Sequence, residues 1–477
     1  MSERQWSKYQ SAIFSEVATG QGHVVVEALA GSGKTSTIVE ALKYIAAGMT
    51  ALLCAFNRKI ADELARRAPK GVDVKTLHSL GFAAVRAAWG NVRVDNDRVE
   101  KMLRAGFPRA SYADRAAVAK LVGLSKNLLL TSWDDIRDAA MGYDIQGQNW
   151  ELTEIVDAAL DCLTACKRRD GSIDFDDMIW LPPTLNLRVP SYDLVFVDET
   201  QDLNAAQLWL ARKACKAGGR IFAVGDRHQA IYAFRGADSQ AIPRMISELT
   251  AKVLPLSVTY RCPQVVVDLA QQVVPEIQAA PGCIMGEIIP AGPVTMLGNA
   301  QPGDFILSRK NAPLMGICLA LLRRGVRATV QGRDVGRSLA AMIKRANAVS
   351  VADLVSWLEA YRQAEGEKLG RREAPESAVE ALNDKVDTLI ALTDGAVTVA
   401  DVLARIESLF QDDGPARVIC STVHRAKGLE ADQVWLMVDT FKRKSPANDP
   451  EGEKNIWYVA ITRARRTLRM VSGNVAE

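Results

Sequence analysis

With 477 residues, 48% hydrophobic and 24% charged, the chain has an ordinary globular balance but is too long for one core, so two or more domains are expected. A net charge of only +3 excludes a globally basic polyanion binder, so any basic surface must be local. Eight scattered Cys with no Cys-x-x-Cys, and only four His, favour reduced cytosolic thiols over structural zinc, and neither a membrane span nor a signal peptide is indicated.

Trp6 to Val17 reads as a short amphipathic helix containing Gln10. The β-rich run His23 to Glu27 leads into Ala28-Leu-Ala-Gly-Ser-Gly-Lys-Thr35, and a helix is expected over Ser36 to Ala47, stopped by Gly48. Strand, glycine turn and helix in this order make a phosphate-binding loop. Gly31 and Gly33 let the backbone approach a polyphosphate, and N–H groups converge at the positive end of a helix. Lys34 would reach the β- and γ-phosphates, and the Thr35 hydroxyl would hold Mg²⁺. The strict pattern has Gly where this chain has Ala28. The shorter Gly-x-Gly-Lys-Ser/Thr would arise by accident in roughly one chain in fifty of this length.

Thr50 to Phe56 and Val72 to Lys75 read as strands, with a helix over Ile60 to Arg67 between them. This alternation predicts an open parallel α/β sheet with ligands at the strand carboxyl ends. From Leu80 to about Trp180, Ala-rich helical periods replace the β signal, which predicts a helical insertion; Pro182-Pro183 and Pro190 mark its end. Tyr192 to Asp198 is a buried parallel strand followed by Glu199-Thr-Gln-Asp202. Arg220 to Asp226 repeats that design and runs into Arg227-His-Gln-Ala-Ile-Tyr-Ala-Phe-Arg-Gly236.

A second α/β block follows. Asp304 to Ser308 is a strand, Ala312 to Arg324 a helix and Val326 to Val330 a strand. Ser338 to Phe410 is helical and charged, Arg417 to Ser421 resumes the sheet, and Val434 to Val438 is a strand. Phe441 to Glu453 reads as a mobile loop, Ile456 to Arg466 as a helix and Leu468 to Val471 as a last strand. The two blocks look like two copies of one fold, each interrupted by helices.

ATP hydrolysis needs a metal, a base for the attacking water and positive charge on the γ-phosphate. Asp198, at a strand end after the phosphate loop, is the candidate Mg²⁺ carboxylate, and Glu199 is the candidate base.

Four stretches carry a resemblance: Ala30-Gly-Ser-Gly-Lys-Thr-Ser36, Val197-Asp-Glu-Thr-Gln-Asp202, Val224 to Ala237 and Tyr458-Val-Ala-Ile-Thr-Arg-Ala464. In that order they resemble the motif series of UvrD/Rep-type superfamily 1 DNA helicases, from Gln10 to Arg466; in that family Ala is common where Ala28 stands. The resemblance implies two RecA-like P-loop NTPase domains in tandem. The first covers 1–80 and 181–255, with a helical insertion at 81–180. The second covers 256–337 and 411–477, with a small helical insertion at 338–410 that is short beside the extensive one of larger relatives.

The resemblance also implies roles. Ala30, Gly31, Ser32, Gly33, Lys34, Thr35 and Ser36 cradle the nucleotide, Gln10 recognises adenine, and Tyr260 stacks on it. Gln229 senses the γ-phosphate, Arg261 and Arg463 bring guanidinium charge to it, and Glu430 couples the strand track to ATP. Phe56, Tyr232 and Phe234 are stacking platforms for bases, with Phe234 standing where the family usually has Trp. His78 and His424 lie in stretches that touch DNA, and Arg235 links the stacked base to the γ-phosphate side.

The implied activity is an ATP- and Mg²⁺-dependent motor on single-stranded DNA and at duplex/single-strand junctions, travelling 3′→5′. Its two domains would close on ATP and open after hydrolysis. A cytoplasmic, nucleoid-associated protein is expected, monomeric or weakly self-associating, with any loading partner unknown. Three readings stay open: a helicase, a translocase that displaces proteins or remodels forks with little unwinding, and an ATP-gated DNA clamp. RNA as the track is a lesser alternative.

Overall fold

The computed structural model describes residues 5–231, 241–371, 376–410, 417–441 and 450–473. The chain divides into two compact units, Met1–Val258 and Thr259–Glu477.

The first unit is built on a six-stranded sheet of β1 (Val24–Ala28), β2 (Ala51–Ala55), β3 (Val72–Thr76), β4 (Tyr192–Val197), β5 (Cys215–Gly225) and β6 (Lys252–Leu256), in the order β3-β2-β4-β5-β1-β6. Every pairing is parallel. The central strands are apolar runs, Val-Val-Val in β1 and Leu-Val-Phe-Val in β4, because helices cover both faces. Two apolar clusters fill those faces, one around Ile13, Phe14 and Phe196, the other around Val195, Leu210 and Ile221. The helix after the phosphate loop is shorter than expected. It runs Lys34–Ala41 from a left-handed Gly33 and tightens into a 3₁₀ turn, Leu42–Tyr44.

Between β3 and β4 lies the expected helical insertion. Its helices Tyr112–Leu128 and Leu152–Cys166 bury Val118, Leu121, Val156 and Ala159 in a core of their own. A two-residue parallel ribbon, Arg93–Val94 with Ser172–Ile173, ties the start of the insertion to its end.

The second unit repeats the plan with β7 (Glu287–Ala291), β8 (Phe305–Ser308), β9 (Ala328–Val330), β10 (Val418–Thr422), β11 (Ala431–Met437) and β12 (Ala464–Val471), in the order β7-β12-β11-β8-β10-β9. These pairings are parallel too. Each unit is thus an open parallel α/β sheet carrying a helical insertion, the tandem RecA-like architecture expected.

Three local expectations are corrected. Strand β7 was not expected; it contains Pro290, which a sheet tolerates at an edge, and β7 is an edge strand. Most of the segment read as a loop from Phe441 to Glu453, residues 442–449, lies outside the described residues; only its ends differ, Phe441 closing a 3₁₀ turn and Pro450 to Glu453 being helical. That helix, Pro450–Ile461, begins before the expected Ile456, because Pro suits a first helical position and Glu451 and Glu453 follow at the positive end. It stops at Ile461, and β12 starts at Ala464, so the last three residues of the expected helix, Ala464 to Arg466, are strand.

The second insertion comprises helices Arg333–Ala346, Val351–Arg371, Glu376–Thr393 and Val399–Leu409. Among the described residues it has no separate core. Leu354, Leu358, Leu389 and Ile406 share one apolar cluster with Ile306, Cys318, Cys420 and Trp435 of the sheet layer. Asp384 reinforces the join by accepting the N–H groups of Asn311 and Ala312 at 3.0 and 2.9 Å, capping the helix Ala312–Arg323.

Candidate active site and nucleic-acid interface

The carboxyl ends of β1, β5 and β4 are neighbours in the first sheet, and each delivers part of one site. β1 ends in the loop Leu29–Gly33. Gly31 and Gly33 have φ of 69° and 80°, where a side chain is disfavoured, and they turn the chain directly into a helix start. Lys34 lies back across the loop, its Nζ donating to the Ala28 carbonyl at 3.2 Å. Ala30 and Ser32 are buried, and Ser32 Oγ, fully enclosed, has no hydrogen-bond partner among the described residues. Together with the uncommitted N–H groups of the first helical turn, this is a lining suited to phosphate oxygens.

β4 delivers Asp198, which is buried, receives a hydrogen bond from Thr35 and faces Lys34. Burial, and next the adjacent Glu199, push its pKa up to about 7 against the pull of Lys34. A carboxylate that is reluctant to ionise, beside a threonine hydroxyl, fits a divalent cation, which would restore the charged form. The Asp198 N–H donates to the Cys54 carbonyl of β2 at 3.1 Å, so β4's exit is tied to its neighbour. Glu199 has φ 51°, a strained backbone for a non-glycine residue, and starts the 3₁₀ turn Thr200–Asp202. Gln201 donates to Glu199 Oε2 at 2.6 Å and accepts the Asp226 N–H at 3.0 Å. Asp226, at the end of β5, is buried, and burial raises its pKa despite Lys34 nearby; Gln229 donates to it at 2.8 Å. Lys34, Thr35, Asp198, Glu199 and Gln229 are therefore gathered along adjoining strand ends.

Gln10 is almost wholly buried against this loop. Its Nε2 donates to Thr37 Oγ1 at 2.9 Å, and its Oε1 accepts the Ser7 N–H at 3.0 Å in a helix-capping box. Ser36 lies in the first turn of the helix, partly buried.

β2 and β3 continue the same carboxyl edge on the far side of β4. Phe56, just past β2, is exposed. His78, just past β3, is stacked on Phe175, ring centroids 4.1 Å apart at 21°. Burial pushes His78 down to about 4, so the ring is neutral at neutral pH. Phe175 is 52% exposed, which leaves ring surface available for a further flat partner. Phe175 and Gln201 were not singled out from sequence. The signal for Phe175 was its place in Ile173-Asp-Phe-Asp-Asp177, an aromatic held among acids where the insertion returns to the sheet. Tyr232, Phe234 and Arg235 lie outside the described residues.

The acids beside Phe175 are anchored from the insertion. Ligand atoms of Cys166, Asp174 and Asp177 fall within 4.8 Å of one another, but Lys126 Nζ stands 2.5 Å from Asp174 and 2.8 Å from Asp177, where a cation would sit. Arg98 adds a second contact to Asp177 at 2.6 Å. Burial alone would lower the Lys126 pKa, yet Asp177 and Asp174 raise it overall, so the lysine stays charged.

In the second unit the predicted residues fall on two edges of the sheet. Glu430 precedes β11 and Arg463 precedes β12, the adjacent strand. Arg261 Nε donates to Glu430 Oε2 at 2.5 Å, and Arg465 lies 3.5 Å from the other carboxylate oxygen. Arg463 is buried and donates to the carbonyls of Val459 and Leu429 at 2.8 and 3.1 Å. Tyr260, beside Arg261, is half exposed. His424 sits past β10 on the opposite, carboxyl edge, in the short helix Val423–Ala426.

Residues 9–250 match the model of the UvrD/REP helicase N-terminal domain, and residues 338–474 that of the UvrD-like helicase C-terminal domain. Among curated proteins, the chain is similar to F-box DNA helicase 1 of Gallus gallus, 25% identical over 94% of this chain and 47% of that protein. It is also similar to F-box DNA helicase protein 1 of Schizosaccharomyces pombe, 26% identical over 93% of this chain and 55% of that protein. ATP-dependent DNA helicase PcrA of Bacillus subtilis is 28% identical over 54% of this chain and 38% of its own length. The chain thus spans about half the length, or less, of the curated relatives it matches.

Proposed function

The chain belongs to the UvrD/REP helicase family, and from that premise we propose that it is an ATP- and Mg²⁺-dependent motor that moves 3′→5′ on single-stranded DNA and separates duplex strands at junctions. One observation carries the reading. The sheet order β3-β2-β4-β5-β1 sets exposed Phe56 and the His78–Phe175 stack on the same strand edge as the phosphate loop and Asp198. A hydrolysis site beside stacking surfaces for bases is what a nucleic-acid motor requires.

Lys34, the Ser32 hydroxyl and the loop N–H groups bind the phosphates. Thr35 and Asp198 would hold Mg²⁺, which when bound neutralises charge across the β- and γ-phosphates. Glu199 orients the attacking water and takes its proton as the new O–P bond forms and the β–γ bridging bond breaks, releasing ADP. Gln201 fixes the carboxylate that does this. Gln229 is assigned the sensing role, Arg261 and Arg463 the positive charge on the γ-phosphate, Gln10 and Tyr260 the adenine, Glu430 the coupling, and His424 a strand contact.

The translocase reading keeps support from the second insertion. Its helices are absorbed into the core of the second unit and form no separate module among the described residues. ATPase rates with and without single-stranded DNA, followed by unwinding of duplexes carrying a 3′ or a 5′ tail, test both readings. Stimulation by DNA with 3′-tail unwinding is expected. Stimulation without unwinding selects the translocase, and equal turnover with and without DNA removes the motor. Lys34→Ala should abolish hydrolysis while DNA binding remains measurable.

A further inference from the structure

A short chain of side-chain amides joins the hydrolysis turn to the aromatic stack. Asn204 follows the turn that Glu199 opens. Its Oδ1 caps the helix Ala205–Lys213, accepting the Gln207 N–H at 2.9 Å, which leaves Nδ2 pointing away. That Nδ2 donates to Asn127 Oδ1 at 2.5 Å, across 77 residues of sequence. Asn127, near the end of the insertion helix Tyr112–Leu128, donates its own amide to the Gly123 carbonyl at 2.7 Å and to the Asp176 carboxylate. Asp176 is next to Phe175, whose ring lies on His78. The donor and acceptor assignments agree along the whole chain, which fixes the orientation of the Asn127 amide.

The surroundings make this link stiff. Lys126, beside Asn127, is locked between Asp174 and Asp177, so the helix end and the Phe175 loop form one body. On the other side, Asn204 is mostly buried, and its capping box is reciprocal, with Asn204 N–H donating to Gln207 Oε1 at 3.0 Å. A displacement of the loop therefore reaches the turn through the Asn127–Asn204 contact.

We infer that Asn127 is a positioning residue through which occupancy of the His78–Phe175 stack is transmitted to the Glu199 turn, so that DNA accelerates hydrolysis. The inference rests on the motor reading above. Asn127 touches neither nucleotide site nor ring; it acts by holding Asn204 and Asp176 in one geometry.

The test uses the full chain, steady-state ATPase turnover and an oligothymidylate as the DNA probe at saturation. Asn127→Ala should lower the ratio of stimulated to basal turnover by about tenfold. Basal turnover and the oligothymidylate Kd should be kept, while the thermal midpoint falls modestly, since Asn204 Nδ2 and Asp176 lose this partner. Asn204→Ser retains a capping hydroxyl but cannot reach Asn127, and should give the same loss; the double variant should be no worse than either single one. Full stimulation in Asn127→Ala overturns the inference. So does a loss that merely follows weakened DNA binding, or single effects that multiply in the double variant. Absence of stimulation in the unaltered chain overturns the motor reading itself, and the relay with it, which distinguishes the two failures.

Discussion

Gln201 holds Glu199 by a 2.6 Å hydrogen bond, and with its other amide atom it grips the Asp226 N–H, so the candidate base is tethered to the end of a second strand. The room for this is set by a glycine: a Cβ on Gly225 would come within 2.5 Å of Gln201 Oε1. A carboxylate on a strained, left-handed residue needs such a tether to keep one orientation. Replacing Gln201 with Ala should lower kcat by about 10–100-fold, a part of what a general base supplies, with little change in KM for ATP. Steady-state kinetics at saturating DNA measure this; an unchanged kcat would show that the strand ends alone orient Glu199.

Proton linkage at Asp198 gives a second expectation. Its folded pKa, about 7, lies above the ordinary carboxylate value, so between the two the folded chain binds the extra proton. Stability from this group is complete at low pH and is lost as pH rises toward 7; Asp226 acts in the same direction. Without nucleotide, the thermal midpoint should fall between pH 5 and 7.5, and Asp198→Asn should flatten much of the slope. Mg²⁺ requires the ionised form, so its apparent affinity should rise across the same interval in an ATPase titration.

The two arginines of the second unit should separate in stability. Arg261 is paired near the surface with Glu430, whereas Arg463 is buried and donates to two main-chain carbonyls. If both serve the γ-phosphate, either change to Ala lowers kcat by about 10³-fold or more. Only Arg463→Ala should also destabilise the unit, by about 1–3 kcal/mol, since the Leu429 carbonyl loses this donor while that of Val459 keeps the Thr462 hydroxyl. Denaturant unfolding of both variants would expose a shared effect, which the burial difference forbids.

Lys126→Met should destabilise the first unit by about 3–5 kcal/mol, since Asp174 and Asp177 would keep buried charge with one cation fewer. A smaller loss in urea unfolding would mean that water enters to solvate the carboxylates.

The phosphate loop and the Asp198-Glu199 end could be read from sequence because each is a contiguous run with one mechanical meaning. Strand β7 could not, since Pro290 opposes a strand until the position is known to be an edge. The helix start at Pro450 was hidden for the converse reason: the same residue type reads as a loop signal until a helix follows it. Asn127 and Phe175 gain their meaning from partners far along the chain, and Gln201 from joining its neighbour Glu199 to Asp226 on another strand; no local pattern encodes that. The Ser338 to Phe410 helices were legible as helices, but their apolar faces did not reveal that they would merge with the sheet's core.

Asp198 hangs by its own N–H from the Cys54 carbonyl, at 3.1 Å, and Phe56 follows two residues later on that strand's exit. The carboxylate proposed for Mg²⁺ and the ring proposed for a base thus sit on the exits of two adjacent strands, joined directly by one main-chain hydrogen bond. If the motor reading holds, a chimera that borrowed this pair of exits from a relative would import its stride and its appetite for nucleotide together.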